Sequence, residues 1–361
     1  MAAQQFGDTI IIGAGQAGLS AAHHLERRGI RFRILSAEAP GETWMRRWDS
    51  LRLFTPAQHC GLPGMPFPAR KGSFPTKDEV AAHHRAYAAT MPVTVGVTVT
   101  GIRAIDGGFE LDTTQGPETA RTVIVAVGAA SVPFVPAFAT RLSTQIRQLH
   151  SNDYKNEESV PDGGVLVVGA GTSGVEIALE LAPNHPVWLA GRTPFHVPNP
   201  LLRYAGGLYW QFIHRVLTLG TPLGRKVGKE FTAQGGPLIG VSIDDALRAG
   251  VSTLPRLAEI DDGGLPAFPG LDGLEVATVV WATGHQPDFS WIAGLPLDGR
   301  GWPATRRGEI PELPGLYFLG MPFQYGLTSS LLGGVGRDAG YVAERVAKAS
   351  QSRTSALAPG A

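Results

Sequence analysis

The chain has 361 residues, 43% of them hydrophobic and 17% charged, which suits a well-buried globule of about two domains and excludes a disordered protein. Its 31 Lys and Arg balance 31 Asp and Glu, so no global field marks a nucleic-acid or anionic-membrane binder. One cysteine, Cys60, excludes an internal disulfide, a CxxC redox pair and a cysteine-rich zinc site.

Met1 to Asp8 is polar, and the first apolar run, Thr9 to Ile12, is too short for a signal-peptide core, so a cytoplasmic location is expected. No charge-free apolar stretch of about 18 residues occurs, so no transmembrane helix is expected. Thr9 to Ile12 predicts a strand. It runs into Gly13-Ala14-Gly15-Gln16-Ala17-Gly18 and then a helical pattern. His23 and His24 lie on that helix and lack the spacing of a metal site. A distant echo, Val123 to Gly128, predicts a second strand of the same unit.

The turn-rich Pro161-Asp162-Gly163-Gly164 is the expected crossing point to a second unit. That unit repeats the first: Val165 to Val168, then Gly169-Ala170-Gly171-Thr172-Ser173-Gly174, then a helical pattern, with its echo at Val279 to Gly284. Gly13 to Gly128 and Gly169 to Gly284 are both 115 residues apart, which implies two copies of one architecture. Leu201 to Leu219 is apolar but interrupted by Arg203, Gly206, Gly207, His214 and Arg215, and reads as a covered amphipathic segment, for packing or subunit contact in preference to membrane contact. The tail offers a strand at Leu316 to Leu319 and a helical pattern near Ser330 to Ala349. It is too short for a domain and is expected to complete the first unit. The expected fold is α/β with two Rossmann-like dinucleotide-binding domains. Residues 1–160 and 286–361 form one, and residues 161–285 are inserted as the other.

The glycine loops carry the chemistry. A pyrophosphate must be met by backbone without crowding. The first glycine allows the tight turn, the second lets backbone approach the phosphates, and the third lets helix and strand close up. The helix N-terminus supplies N–H groups and the positive dipole end. Arg192, 23 residues after Gly169, suits a 2′-phosphate and selects NADPH over NADH. The equivalent position in the first unit is Ser36, with Glu38 two residues on. Either or both are expected to hold ribose hydroxyls. Two dinucleotide sites imply electron transfer between FAD and a nicotinamide. Without a cysteine pair, electrons leave toward oxygen, a quinone or a protein acceptor. Three readings follow: a monooxygenase, a flavin-dependent NADPH reductase, and a non-catalytic redox sensor.

The motifs resemble those of the class B flavoprotein monooxygenases, the flavin-containing monooxygenase superfamily. The chain carries the paired glycine motifs, Gly41-Glu42-Thr43-Trp44, and the junction Ala282-Thr283-Gly284-His285-Gln286-Pro287-Asp288. Asp49, Leu51, Leu53, Pro56, Gln58, Cys60, Leu62, Pro63, Met65, Pro66, Phe67 and Pro68, then Phe74 to Lys77, resemble the YUCCA-type indole-3-pyruvate monooxygenases and their bacterial relatives. Gly315 to Gly320 and Asp338-Ala339 also fit, with the last helix expected to point its N-terminus at the flavin. The superfamily pattern FxGxxxHxxx(W/Y/F) is half present: His150 and Tyr154 match, while Thr144 and Ile146 replace phenylalanine and glycine. Phe54 stands where heteroatom-oxidising members place asparagine, as in the YUCCA branch.

The resemblance implies that FAD, NADPH, O2 and a small organic substrate react through a C4a-(hydro)peroxyflavin, with no nucleic acid or metal and with a homodimer left open. Cofactor contact is expected at Gly13, Gly15, Gln16, Ala17, Gly18, Ser36, Glu38, Thr43, Trp44, Arg47, Leu53, Val99, Gly128, Gly320, Ser330 and Leu331 in the first unit. In the second it is expected at Gly169, Gly171, Thr172, Ser173, Gly174, Arg192, Thr193, Ala282, Thr283 and Gly284. Gln58, His59, Gln324 and Tyr325 are candidate substrate-lining residues. No catalytic acid or base is assigned, and Cys60 reads as a small buried hydrophobe.

Overall fold

The computed structural model describes residues 7–129, 132–234, 236–271 and 274–357. The chain begins with β1 (Gly7–Ile12), α1 (Gln16–Glu26), β2 (Phe32–Ser36), α2 (Glu42–Met45), α3 (Lys77–Ala88), β3 (Val93–Val95), β4 (Val99–Ile105), β5 (Gly108–Thr113) and β6 (Glu118–Val125). It continues through β7 (Val132–Pro133), β8 (Arg147–His150), β9 (Val165–Val168), α4 (Thr172–Leu181), β10 (Val187–Ala190), α5 (Asn199–Arg215), α6 (Pro222–Gln234) and α7 (Ile243–Arg248). After β11 (Ser252–Leu254), β12 (Glu259–Ile260), β13 (Pro266–Ala267) and β14 (Thr278–Trp281), it closes with β15 (His285–Gln286), β16 (Leu316–Phe318) and α8 (Leu332–Leu357).

Two sheets carry these elements. The first has the order β3-β2-β1-β6-β5-β4, with β16 also paired to β6. Its β1, β2, β3, β6 and β16 contacts are parallel, while β4-β5-β6 form an antiparallel meander. The second sheet, β11-β10-β9-β14-β8, is parallel throughout. Parallel strands buried on both faces read as continuous apolar runs, and β9 (VLVV) and β14 (TVVW) are buried at every position. The α/β class with two Rossmann-like units is as expected.

On one side of the first sheet, α1 packs against α8, with Leu19, Ala22, Val335 and Val342 wholly buried. Each such branched side chain contributes roughly 1.5–3 kcal/mol relative to exposure. Trp44 and Leu53 pack against both this core and that of the second sheet, while Trp48 and Leu51 belong to the latter. The segment between α2 and α3 therefore clamps the two units together. α3 is started by a capping box of Thr76 and Glu79.

Two details depart from the sequence reading. The chain enters the second sheet before the turn at Pro161 to Gly164, because β8 pairs with β14 along Arg147 to His150. Polar residues at Arg147 and Gln148 hide this edge strand from an apolar-pattern search. The two crossings between sheets also meet: β7 and β15 pair antiparallel, Pro133 opposite His285 and Val132 opposite Gln286. Second, the segment expected to be covered is an outer helix. α5 is broken by non-helical geometry at Ala205, and Leu208 is 75% exposed. No helix among the described residues is long and apolar enough to cross a membrane.

Candidate cofactor and active site

The two glycine turns have one geometry. Gly13 takes φ +104° and Gly169 φ +113°. A Cβ at these positions would lie 2.6 Å from Ala126 O and 2.3 Å from Ala282 O. The Gly13 N–H donates to Leu35 O, and the Gly169 N–H to Ala190 O, each at 2.8 Å. A Cβ on Gly18 would fall 1.9 Å from Gly13 O, and one on Gly174 1.8 Å from Gly169 O, so these glycines let helix and strand touch. Gly15 and Gly171 differ: nothing lies within 4 Å of a Cβ built there. They cap α1 and α4 without a side-chain acceptor, and neither helix has an acid in its first turn. The free N–H groups and positive dipole ends are thus left facing open space. Gly128 and Gly284, which follow the echo strands, share φ +81°.

A cleft of about 950 Å³ lies over the second turn. Gly169, Gly171, Thr172, Arg192, Ala282 and Thr283 line it, together with Phe54, Trp210, Ser330 and Leu331. Phe54 and Trp210 stack with centroids 6.5 Å apart and planes 12° off parallel. Ser173 and Gly174 lie behind this lining in α4, and Thr193 lines the neighbouring groove of α5 and α6. The cleft contains a second cation that sequence reasoning missed. Arg256 follows β11 and has no glycine motif to announce it.

Around the first turn, Ser36 Oγ donates to Glu38 O at 2.7 Å, and the Glu38 carboxylate pairs with Arg46. Gln16 Nε2 reaches Ser330 O at 3.4 Å, bringing the start of α1 to the tail. Ala17 and Gly320 are also adjacent, a Cβ on the glycine falling 3.1 Å from Ala17 Cβ. Thr43 and Trp44 lie on α2, and Leu53 lies partly buried beyond it. Val99 lies on β4 and packs against the core that includes Ile10 and Leu35. Asp338 is wholly buried in α8, and burial pushes its carboxyl above the usual range.

Arg47 joins a cluster where the units meet. Its Nη1 donates to Asn152 Oδ1 at 2.7 Å, and His285 Nε2 approaches the same oxygen at 3.2 Å. The Asn152 N–H donates to His150 Nδ1 at 3.2 Å, leaving His150 Nε2 to donate to Gly284 O at 3.1 Å. His150 thus has its tautomer set by two backbone groups. Burial, then Arg47, then His150 push His285 down to about 4, so it is neutral near pH 7.

Of the substrate-lining candidates, Gln58, His59 and Tyr325 line a second chamber of about 900 Å³. Trp210 and Leu331 belong to both chamber and cleft. Gln324 is not among them. It is 5% exposed, donates to Phe318 O at 2.9 Å and accepts from the Met321 N–H at 3.3 Å. Its amide holds the turn after β16. The chamber also contains Arg337, whose guanidinium carbon sits 4.8 Å from the Tyr325 ring centroid. Cys60 is fully buried, and burial pushes its thiol up to about 12.

Two matching glycine turns, each following a strand in a parallel part of its own sheet, define a two-dinucleotide oxidoreductase fold. The chain belongs to the pyridine nucleotide-disulphide oxidoreductase family, whose model matches residues 10–195. Within that family it is related to the class B flavoprotein monooxygenases, including the YUCCA enzymes. It is 35% identical to the "uncharacterized oxidoreductase CzcO-like" of Geobacillus kaustophilus, over 94% of this chain and 98% of that one. The probable indole-3-pyruvate monooxygenase YUCCA3 of Arabidopsis thaliana is 27% identical, over 86% of this chain and 81% of its own. Among solved structures, a flavin-containing monooxygenase from Stenotrophomonas maltophilia is similar with a TM-score of 0.75 and 26% identity, over 95% of this chain and 98% of that one.

Proposed function

We propose that the protein is an FAD- and NADPH-dependent monooxygenase that transfers one atom of O2 to a small organic substrate. The observation that carries this reading is the pair of congruent glycine turns, with one cleft running from the Gly169 loop to Ser330 and Leu331. FAD is assigned to the unit built on the first sheet, and NADPH to the unit built on the second, which the chain enters at β8.

The residues present fit both groups. Gly15 and Gly171 each leave room where a side chain would block a pyrophosphate, in front of a helix that offers uncapped N–H groups. Ser36 and Glu38 would take the FAD ribose. Arg192, exposed at the cleft and with no ion pair among the described residues, would take the 2′-phosphate, with Arg256 beside it. When bound, the cofactor pair supplies hydride transfer from NADPH to flavin and activation of O2 by the reduced flavin.

The chain's own residues orient the ring systems and exclude water. The stacked Phe54 and Trp210, with Leu331, give the cleft an apolar wall. Gln58, His59 and Tyr325 line the chamber beyond that wall and would face the substrate. Disulfide reduction, which the family description names, requires paired thiols, and this chain has one buried cysteine.

The test is turnover under isotopically labelled O2. NADPH should bleach a yellow holoprotein anaerobically, and one labelled oxygen should then appear in product. Protein that stays colourless after reconstitution with FAD, or that yields only hydrogen peroxide across a broad substrate screen, overturns the reading.

A further inference from the structure

The charge balance of the whole chain hides a local imbalance. Between Glu180 and Asp244 the sequence contains a single acid, Glu230. The same stretch contains Arg192, Arg203, Arg215, Arg225, Lys226 and Lys229. This is the part of the chain that forms α5 and α6. Arg215, Arg225 and Lys226 are exposed.

α5 is apolar on two faces. Trp210 and Ile213, followed by Leu217, are buried at helical spacing and point into the protein. Leu208 and Phe212, four residues apart beyond the break at Ala205, lie on another face, and with Leu201 ahead of the break they are 75%, 44% and 42% exposed. Phe195, just upstream, is 74% exposed. Leu201, Leu208 and Phe212 line an open groove of about 820 Å³ with Val227 and Phe231 of α6. A single-face amphipathic helix is fully explained by packing. Arg192 and Glu230 are the charged residues in the groove's lining. A second exposed apolar face, on a segment with an excess of cations, suits an apolar and anionic surface outside the chain.

We infer that this face is a peripheral-membrane surface, on which α5 and α6 lie against an anionic phospholipid bilayer. The apolar stripe would enter the boundary between headgroups and acyl chains. The exposed Arg215, Arg225 and Lys226 of the same two helices would meet lipid phosphates. The same charges disfavour a second copy of the chain as the occupant, because a two-fold contact would set one cationic face against another. The groove shares Tyr209, Ile213, Phe231 and Leu327 with the cleft over the second glycine turn, so the lipid-facing side adjoins the site.

Co-sedimentation with vesicles tests this, using the flavin-loaded protein. Vesicles of phosphatidylcholine with an equal share of phosphatidylglycerol should pellet the protein at least tenfold more strongly than phosphatidylcholine alone, and high salt should release it. Leu208→Glu and Lys226→Glu should each lower binding severalfold, whereas Leu297→Glu, an exposed leucine elsewhere, should not. Retained melting temperatures show that the variants fold. Equal binding to both vesicle types, no binding, or loss with Leu297→Glu overturns the inference. So does a dimer in light scattering that Leu208→Glu dissociates without any vesicle binding, since the face then joins two copies.

Discussion

Arg47 and His285 meet on a single atom, the Asn152 Oδ1, at 2.7 and 3.2 Å. Arg47 follows α2 in the first unit, and His285 opens β15, where the chain leaves the second. One carboxamide therefore ties the units by accepting from both. The imidazole must remain neutral here, since a second cation beside the guanidinium would be repelled.

The first prediction is a pH dependence. The folded His285 ring resists protonation down to about 4, against an ordinary 6.5 in the unfolded chain, and buried His84 is also pushed to about 4. Between these values the unfolded state binds protons that the folded state refuses. Stability from these sites is whole above pH 6.5 and is lost as pH falls toward 4. Melting temperatures across that range should drop, and His285→Gln should flatten part of the fall. Asn152→Ala should cost about 1–3 kcal/mol in denaturant titrations, by stranding the half-buried Arg47.

Paired glycine substitutions separate fold from binding. Gly174→Ala would force a methyl to within 1.8 Å of Gly169 O and should lower the melting temperature by many degrees. Gly171→Ala meets only open space at φ −74° and should leave melting nearly unchanged. The same methyl would intrude where the nicotinamide cofactor's phosphates are proposed to lie. NADPH affinity should then fall at least tenfold, measured by titration of the folded protein.

Arg192→Ala should reduce the preference for NADPH over NADH by about tenfold or more in kcat/KM, equivalent to about 1.4 kcal/mol. Arg256→Ala should produce a smaller loss. Equal loss toward both nucleotides in Arg192→Ala would mean that the guanidinium contacts something other than the 2′-phosphate.

Trp210 faces both hollows, so reducing its size should open one to the other. Trp210→Phe is expected to raise the fraction of NADPH lost as hydrogen peroxide while leaving flavin content intact. Trp210→Ala should add a stability cost of about 3–5 kcal/mol from the cavity.

Cys60→Ala should retain NADPH oxidation, because a fully buried thiol pushed up to about 12 supplies no thiolate. Loss of all turnover, with folding preserved, would require thiol chemistry after all.

The parts legible in the sequence are those that backbone geometry demands. Gly13 and Gly169 need left-handed φ, Gly18 and Gly174 need a missing Cβ, and the equal spacing to Gly128 and Gly284 betrays the repeated unit. What stayed hidden rests on contacts distant in sequence. β8 joins the second sheet through pairing with β14, although nothing about Arg147 or Gln148 is strand-like. Arg256 and Arg337 are ordinary cations until folding brings them to the cleft and chamber. Gln324 follows an apolar strand much as a binding residue would, yet its amide is used by Phe318 and Met321. The outward stripe of α5 was visible as apolar content. Which side of the helix it occupied depended on Trp210 and Ile213 taking the inside.

The pairing of β7 with β15 makes the link between the halves a double strand rather than two loose tethers. A protease that nicked either crossing would leave the other holding both halves, aided by the clamp of Trp44 and Leu53. Fragments would separate on a denaturing gel while the native particle kept its mass. The chain could therefore be opened at that ribbon, and its ends relocated there, without dividing the molecule.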